Sequence, residues 1–262
     1  MKKNRLRGKL KGWFFAMKLH YLIPSGISAF LSQLSRLSLW IDRHRNLSSS
    51  DFYTPSFNYS RRYDLYSILT EAEKINYPVD YLEFGVAGGL SFRWWSEHLS
   101  HPGCRLYGFD TFTGLPEDWG DFRKGDMSTG SKLPDIADPR CSFLQGLFQQ
   151  TLPEFLKNWS PQERKIIHMD ADLYTSTLFV LTSISPFLNK GDILIFDEFN
   201  VPMHEFRAFT EWTQSYYIRY EVLAAVKRPG AEAAVVKGWL GSRKWLLARR
   251  FSQLSILALF LL

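Results

Sequence analysis

Four carboxylates stand in two close pairs, Asp170 and Asp172 in HMDADLYTST, Asp197 and Glu198 in ILIFDEF. Each pair follows a short apolar run, KIIHM or DILIF, of the kind that forms a buried strand. If those strands are neighbours in a parallel sheet, their ends gather four like charges. Such groups repel and raise one another's pKa unless a cation or a proton is held among them. A divalent ion relieves the repulsion, and an all-oxygen set suits magnesium, which keeps several waters and leaves room for substrate oxygens. The blander alternative is that Asp172 and either Asp197 or Glu198 cap the helices that follow. Capping would explain one acid per loop rather than two.

A second constellation is VDYLEFGVAGGLS, residues 79 to 91. An apolar run reaches Glu83, and Gly85, Gly88 and Gly89 follow within seven residues of it, before a helical stretch. Gly85 can turn the chain sharply out of a strand, and Gly88 and Gly89 lack side chains that would block a ligand lying across the loop. Ser91 can cap the next helix. The following strand-like run, RLYGFD, ends in Asp110, where an acid can hold ribose hydroxyls. Together these features read as a nucleotide-like site. Nicotinamide-dependent oxidoreductases share the pairing, although GVAGG lacks the first glycine pair of their fingerprint.

Only a sheet can bring these ends together. After the helical pattern RRYDLYSILTEAEKI, the strand-like runs VDYLEF, RLYGFD, CSFLQG, KIIHMD and DILIFDEF alternate with longer helical ones. YEVLAAV and EAAVVKG, joined by KRPGA, close as a hairpin, so one edge strand is expected to run antiparallel. The pattern predicts an α/β, Rossmann-like, seven-stranded sheet, mostly parallel with an antiparallel C-terminal hairpin strand and helices on both faces. Ligands of such sheets bind at the carboxyl ends of the strands, where strand order reverses. Residues 111 to 139 form a long loop with glycines and aromatics, suited to a lid over substrate.

The organisation expected for the 262 residues is a basic, aromatic leader or lid over 1–60, a catalytic domain over 61–240 and a basic, apolar tail over 241–262. Charge follows the same division. Residues 1 to 50 hold ten Lys and Arg against one acid, and 237 to 262 hold five against none. The body between keeps 17 basic and 25 acidic residues, so the net +6 comes from the ends. An acidic body argues against a nucleic-acid groove and for terminal segments that meet an anionic surface, giving peripheral membrane contact through the basic termini. Cys104 and Cys141 have neither zinc-site spacing nor a disulfide framework, which points to a reducing, cytoplasmic setting. No stretch is long and apolar enough to span a bilayer.

Five motifs, EFGVAGGLS, GFDTFTGLPEDW, GLFQQTLPEF, HMDADLYTST and GDILIFDEF, together resemble the macrocin O-methyltransferase family of class I S-adenosylmethionine-dependent methyltransferases, over roughly residues 78 to 215. The resemblance implies a magnesium-assisted O-methyltransferase that acts on a hydroxyl of a sugar or glycoside. It implies S-adenosyl-L-methionine and Mg2+ as cofactors. The acceptor is then a small-molecule or lipid-linked saccharide, and an oligomer is compatible with the family. Carried over by position, the loop Gly85, Val86, Ala87, Gly88, Gly89 with Ser91 would cradle the methionine part, and Asp110 would take the ribose. Leu147 and Phe148 would lie by the adenine, with Glu83, Thr111 and Asp170 also assigned to the cofactor. Asp170, Asp197 and Glu198 would hold the metal, leaving Asp172 as general base. His168 reads as a structural strand histidine, while Tyr174, Trp119 and Tyr59 are candidates to stack on sugar faces. Rival functions are a nicotinamide-linked oxidoreductase on a similar sheet and an inactive, membrane-associated binding protein.

Overall fold

The computed structural model describes residues 2–44, 61–228 and 231–240. In chain order the elements are α1 (Lys2–Ala16), α2 (Ser25–His44), α3 (Arg61–Glu73), β1 (Val79–Phe84), α4 (Leu90–His98), β2 (Arg105–Asp110) and β3 (Cys141–Gln145). There follow α5 (Phe148–Asn158), β4 (Arg164–Met169), α6 (Tyr174–Ile184), β5 (Asp192–Phe196), α7 (Glu205–Ser215), β6 (Ile218–Arg228) and β7 (Ala231–Leu240). The tail 241–262, Tyr59 and the rest of residues 45–60 lie outside the described residues.

Seven strands pair in the order β3-β2-β1-β4-β5-β7-β6. The first five are parallel, and β7 is antiparallel to both β5 and β6. This corrects one expectation: the antiparallel strand is not at the edge. By inserting between β5 and β6, β7 satisfies its backbone groups on both sides and leaves β6 as the edge strand.

Strands β1 and β5 are buried at every position, as central parallel strands covered by helices on both faces must be. One face packs Phe84, Phe109, Met169 and Phe196 under α5, α6 and α7. The other packs Tyr81, Leu106 and Ile166 against Leu65 and Tyr66 of α3 and Phe92 and Trp95 of α4. From β1 the chain winds outward through β2 and β3, then returns to place β4 on the other flank of β1. Strand order therefore reverses between β1 and β4, whose last residues Phe84 and Met169 are partners in register. Gly85 and Asp170 come next on each strand, at the place where this architecture binds ligands.

The leader is partly integrated with the domain. Leu37 and Trp40 of α2 join the core on the α7 side. The Trp40 ring lies 4.7 Å from that of Phe199, and its Nε1–H donates to the Tyr220 hydroxyl at 3.0 Å. Replacing Trp40 with Ala should cost about 3–5 kcal/mol, the usual loss for a buried tryptophan, seen as an earlier thermal unfolding midpoint. An unchanged midpoint would show that α2 is not bound to the domain in solution.

Both cysteines are free. Burial raises both thiols, Cys141 to about 11, so they are protonated packing groups at neutral pH. Among the described residues no helix is long and apolar enough to cross a membrane.

Candidate active site

The glycine turn is fixed by the strand that flanks it. Gly85 has φ +95°, and a Cβ there would overlap the carbonyl oxygen of Asp170. Its N–H donates to Phe109 O at 2.9 Å, while Asp170 N–H donates to Phe84 O at 2.9 Å. Three strand ends are thus stitched through main chain at one point, and only glycine permits the approach.

Asp110 then holds the loop itself. Its Oδ2 accepts from the N–H groups of Val86 and Ala87, both at 2.7 Å, and its Oδ1 accepts from Phe112 N–H at 2.7 Å. A carboxylate between two loops draws them together, and the Thr111 hydroxyl also approaches its Oδ1, at 3.5 Å.

Beneath the loop lies a buried polar chain. Ser91 Oγ donates to Glu83 Oε1 at 2.6 Å, and Tyr81 donates its hydroxyl proton to Glu83 Oε2. The Tyr81 oxygen meets His168 Nδ1 at 2.8 Å, and His168 Nε2 meets the Tyr66 hydroxyl at 3.3 Å. Burial and the Glu83 charge hold the Tyr81 phenol well above its ordinary range, so it keeps its proton. Two expectations change here. Ser91 does not cap α4, whose first position is preceded by Gly89 with no side-chain cap, because its hydroxyl is spent on Glu83. Glu83 and Ser91 lie under the cavity rather than along it, tying β1 to α4. His168 is a bonded strand histidine, as its setting in the sequence suggested.

A cavity of about 410 Å³ opens over this platform. Gly85, Val86, Ala87, Asp110 and Thr111 form one wall, and Leu147 and Phe148 form another. Asp170, Asp172, Asp197 and Glu198 line the same space, so the two sequence constellations meet. Phe148 also stands edge-on to Phe84 at 5.4 Å and thus serves core and cavity together. Gly88 and Gly89 do not line the cavity. Nothing lies within 4 Å of a Cβ at Gly88, whereas one at Gly89 would come 2.6 Å from Pro134, so Gly89 makes room for the long loop and not for a ligand.

That long loop folds over the opening. Gly114, with φ +92°, lets Leu115 and Asp126 pair through main chain, and the rings of Trp119 and Phe122 stack at 5.3 Å. Trp119 lines the cavity and is available to a sugar face. Tyr174 does not line it, since its hydroxyl donates to Glu211 at 2.6 Å and Arg207 lies over its ring.

The acids are not helix caps. The residues preceding α6 and α7 are Leu173 and His204, and neither helix has a side-chain cap bond. Asp172 instead sits at φ +58°, a strained setting that Asp tolerates better than most and that clusters at functional sites. Glu198 is pushed up to about 9, first by burial and then by the charges of Asp172 and Asp170. Glu205, fully buried on α7, accepts from Glu198 N–H at 2.9 Å and is raised well above the usual carboxylate range by burial, Asp170 and Glu198. Its Oε1 has no hydrogen-bond partner among the described residues.

Sequence reasoning missed the guanidinium that, among the described residues, joins this cluster. Arg62 of α3 reaches Asp170 at 3.8 Å and Asp197 at 3.4 Å. A signal existed: α3 opens with Arg61 and Arg62, and cations at a helix N-terminus oppose the macrodipole unless something else holds them. Arg62 pairs with Asp170 and Asp197, while burial first and the neighbouring acid charges second push the Glu198 and Glu205 carboxyls up.

Ligand atoms of His168, Asp170 and Asp197 lie within 4.8 Å of one another. Both His168 nitrogens are already committed to tyrosine hydroxyls, so the oxygen set Asp170, Asp197 and Glu198 fits a hard cation better. Carboxylate oxygens are the ligand type that a hard cation such as magnesium takes.

A parallel sheet with one inserted antiparallel strand, and a glycine turn and acid-lined cavity at its reversal point, is a Rossmann-like architecture with its ligand cavity in the usual place. Residues 82–199 match the family model described as a methyltransferase domain. A stretch of 78 residues is 35% identical to mycinamicin III 3''-O-methyltransferase of Micromonospora griseorubida, spanning 28% of this chain and 29% of that enzyme. Among solved structures, the calicheamicin methyltransferase CalS11 superimposes with a TM-score of 0.54 at 21% identity, over 79% of this chain and 91% of the other. That likeness shows a shared fold.

Proposed function

We propose that the chain is an S-adenosylmethionine-dependent, magnesium-assisted O-methyltransferase acting on a hydroxyl of a sugar or glycoside. The observation that carries this reading is that the glycine turn at Gly85 and the acids Asp170, Asp172, Asp197 and Glu198 line a single cavity. The named relative, an O-methyltransferase, supports oxygen as the acceptor atom.

Gly85 to Ala87 and Asp110 would hold the methyl donor, with Leu147 and Phe148 against its base. When bound, S-adenosylmethionine would supply an electrophilic methyl group and leave as the neutral thioether, and magnesium, which Asp170, Asp197 and Glu198 would hold, would make an acceptor hydroxyl more acidic. Asp172 faces the cavity beside that set and accepts the hydroxyl proton on its carboxylate as the methyl is transferred. Trp119 and the loop above it would orient the acceptor and exclude water.

The test is transfer of labelled methyl from S-adenosylmethionine to a panel of glycosides, with magnesium or with EDTA. Labelled ether that disappears on chelation is expected. Labelling unaffected by EDTA would remove magnesium from the mechanism, and no transfer to any hydroxyl would remove the reading.

Arg62 offers a separate check on the metal. Its guanidinium shares Asp170 and Asp197 with any cation, so Arg62→Gln should tighten Mn2+ binding about tenfold, as read from the free-Mn2+ resonance. Unchanged affinity would show that the ion binds elsewhere.

A further inference from the structure

We propose that α1 and the first half of α2 form an arm that docks on an anionic lipid surface. Leu6, Leu10 and Trp13 recur at i, i+4 and i+7 on α1, so they share one stripe, and each is more than 60% exposed. Ile27, Phe30, Leu31 and Leu34 form a second exposed stripe on α2 by the same spacing. That stripe differs from Gln33, Leu37 and Trp40, the buried face that α2 turns to the domain. In the connection between the helices, Tyr21, Leu22 and Ile23 are exposed too. Leaving this much apolar surface in one arm exposed to water is unfavourable, and such surfaces mark interaction sites.

Charge selects the occupant. Residues 2 to 41 contain eight Lys and Arg and no Asp or Glu. Arg7, Lys9 and Lys11 are exposed among the apolar positions of α1. Apolar residues that sink into acyl chains, with basic neighbours reaching back to anionic headgroups, are what an interfacial helix requires. A second copy joined arm to arm would set like charges against each other, whereas an anionic bilayer neutralises them. The inner end of the arm is rigidly placed: Trp40 packs on Phe199, the residue after Glu198. Leu34 lies six residues before it on the helix, about 9 Å away. On the methyl-transfer reading this holds the cavity near the surface, within reach of a lipid-linked saccharide; the docking itself does not depend on that reading.

The test sediments the full chain with vesicles of phosphatidylcholine alone or mixed with phosphatidylglycerol, at low and high salt, while ultracentrifugation reports its mass without lipid. Binding to the anionic vesicles only, weakened by salt, is expected. The exposed triple change Arg7→Glu, Lys9→Glu, Lys11→Glu should reduce partitioning at least tenfold, as should Leu10→Ala with Trp13→Ala. Circular dichroism would confirm that both variants fold. No binding to anionic vesicles, equal binding to neutral ones, or a lipid-free dimer that Leu10→Ala with Trp13→Ala dissociates would each overturn the proposal.

Discussion

Replacing Asp172 with Asn should lower kcat by about 10²–10⁴-fold, the usual range for loss of a general base, while S-adenosylhomocysteine binds as tightly as to the wild type. The expectation rests on placement. Asp172 lines the cavity beside Asp170 and Glu198, its backbone lies in the left-handed region, and neither neighbouring helix uses it as a cap. Asn keeps the size and tolerates the same backbone conformation, so a fall in kcat without loss of binding isolates the proton acceptor. Retained turnover within a few-fold would move the base to another residue. Lost binding together with lost turnover would assign Asp172 a structural part.

Gly85→Ala should remove cofactor binding and cost at least about 2 kcal/mol of stability, from backbone strain and overlap together. The overlap is with the carbonyl oxygen of Asp170, a main-chain atom that cannot rotate away. Relief requires β1 and β4 to separate at the point where Asp170 N–H bonds Phe84 O. The same movement displaces Asp170 and the Val86 and Ala87 amides that Asp110 holds. Gly88→Ala is the control, because open space surrounds that position and its φ is unremarkable. Thermal unfolding and titration with S-adenosylhomocysteine should therefore separate the two variants. If they behave alike, the turn is looser than its hydrogen bonds imply.

What the sequence disclosed follows from how each part is encoded. Buried parallel strands are short continuous apolar runs, so β1, β4 and β5 and the acids that end them could be read directly. The turn at Gly85 was legible because a glycine directly after a strand has few other uses. Less was visible where a residue's partner is distant in the chain. Ser91 has the right type and position for a cap, yet its hydroxyl is taken by Glu83, eight residues away and one strand deeper. Gly89 looks like ligand clearance until Pro134 is found against it. Arg62 lies 108 residues before Asp170 and carries no local pattern beyond its unfavourable helix end. The place of β7 is set by which hairpin strand reaches β5, a choice that alternating hydrophobicity does not record.

Calorimetric titration of the wild-type chain with S-adenosylhomocysteine, and separately with NADH, tests the central point most directly. Saturable binding of S-adenosylhomocysteine that Gly85→Ala abolishes, with no heat from NADH, is the predicted result. Binding of NADH in its place, or S-adenosylhomocysteine binding that Gly85→Ala leaves intact, would contradict a methyl-donor site at the reversal point between β1 and β4.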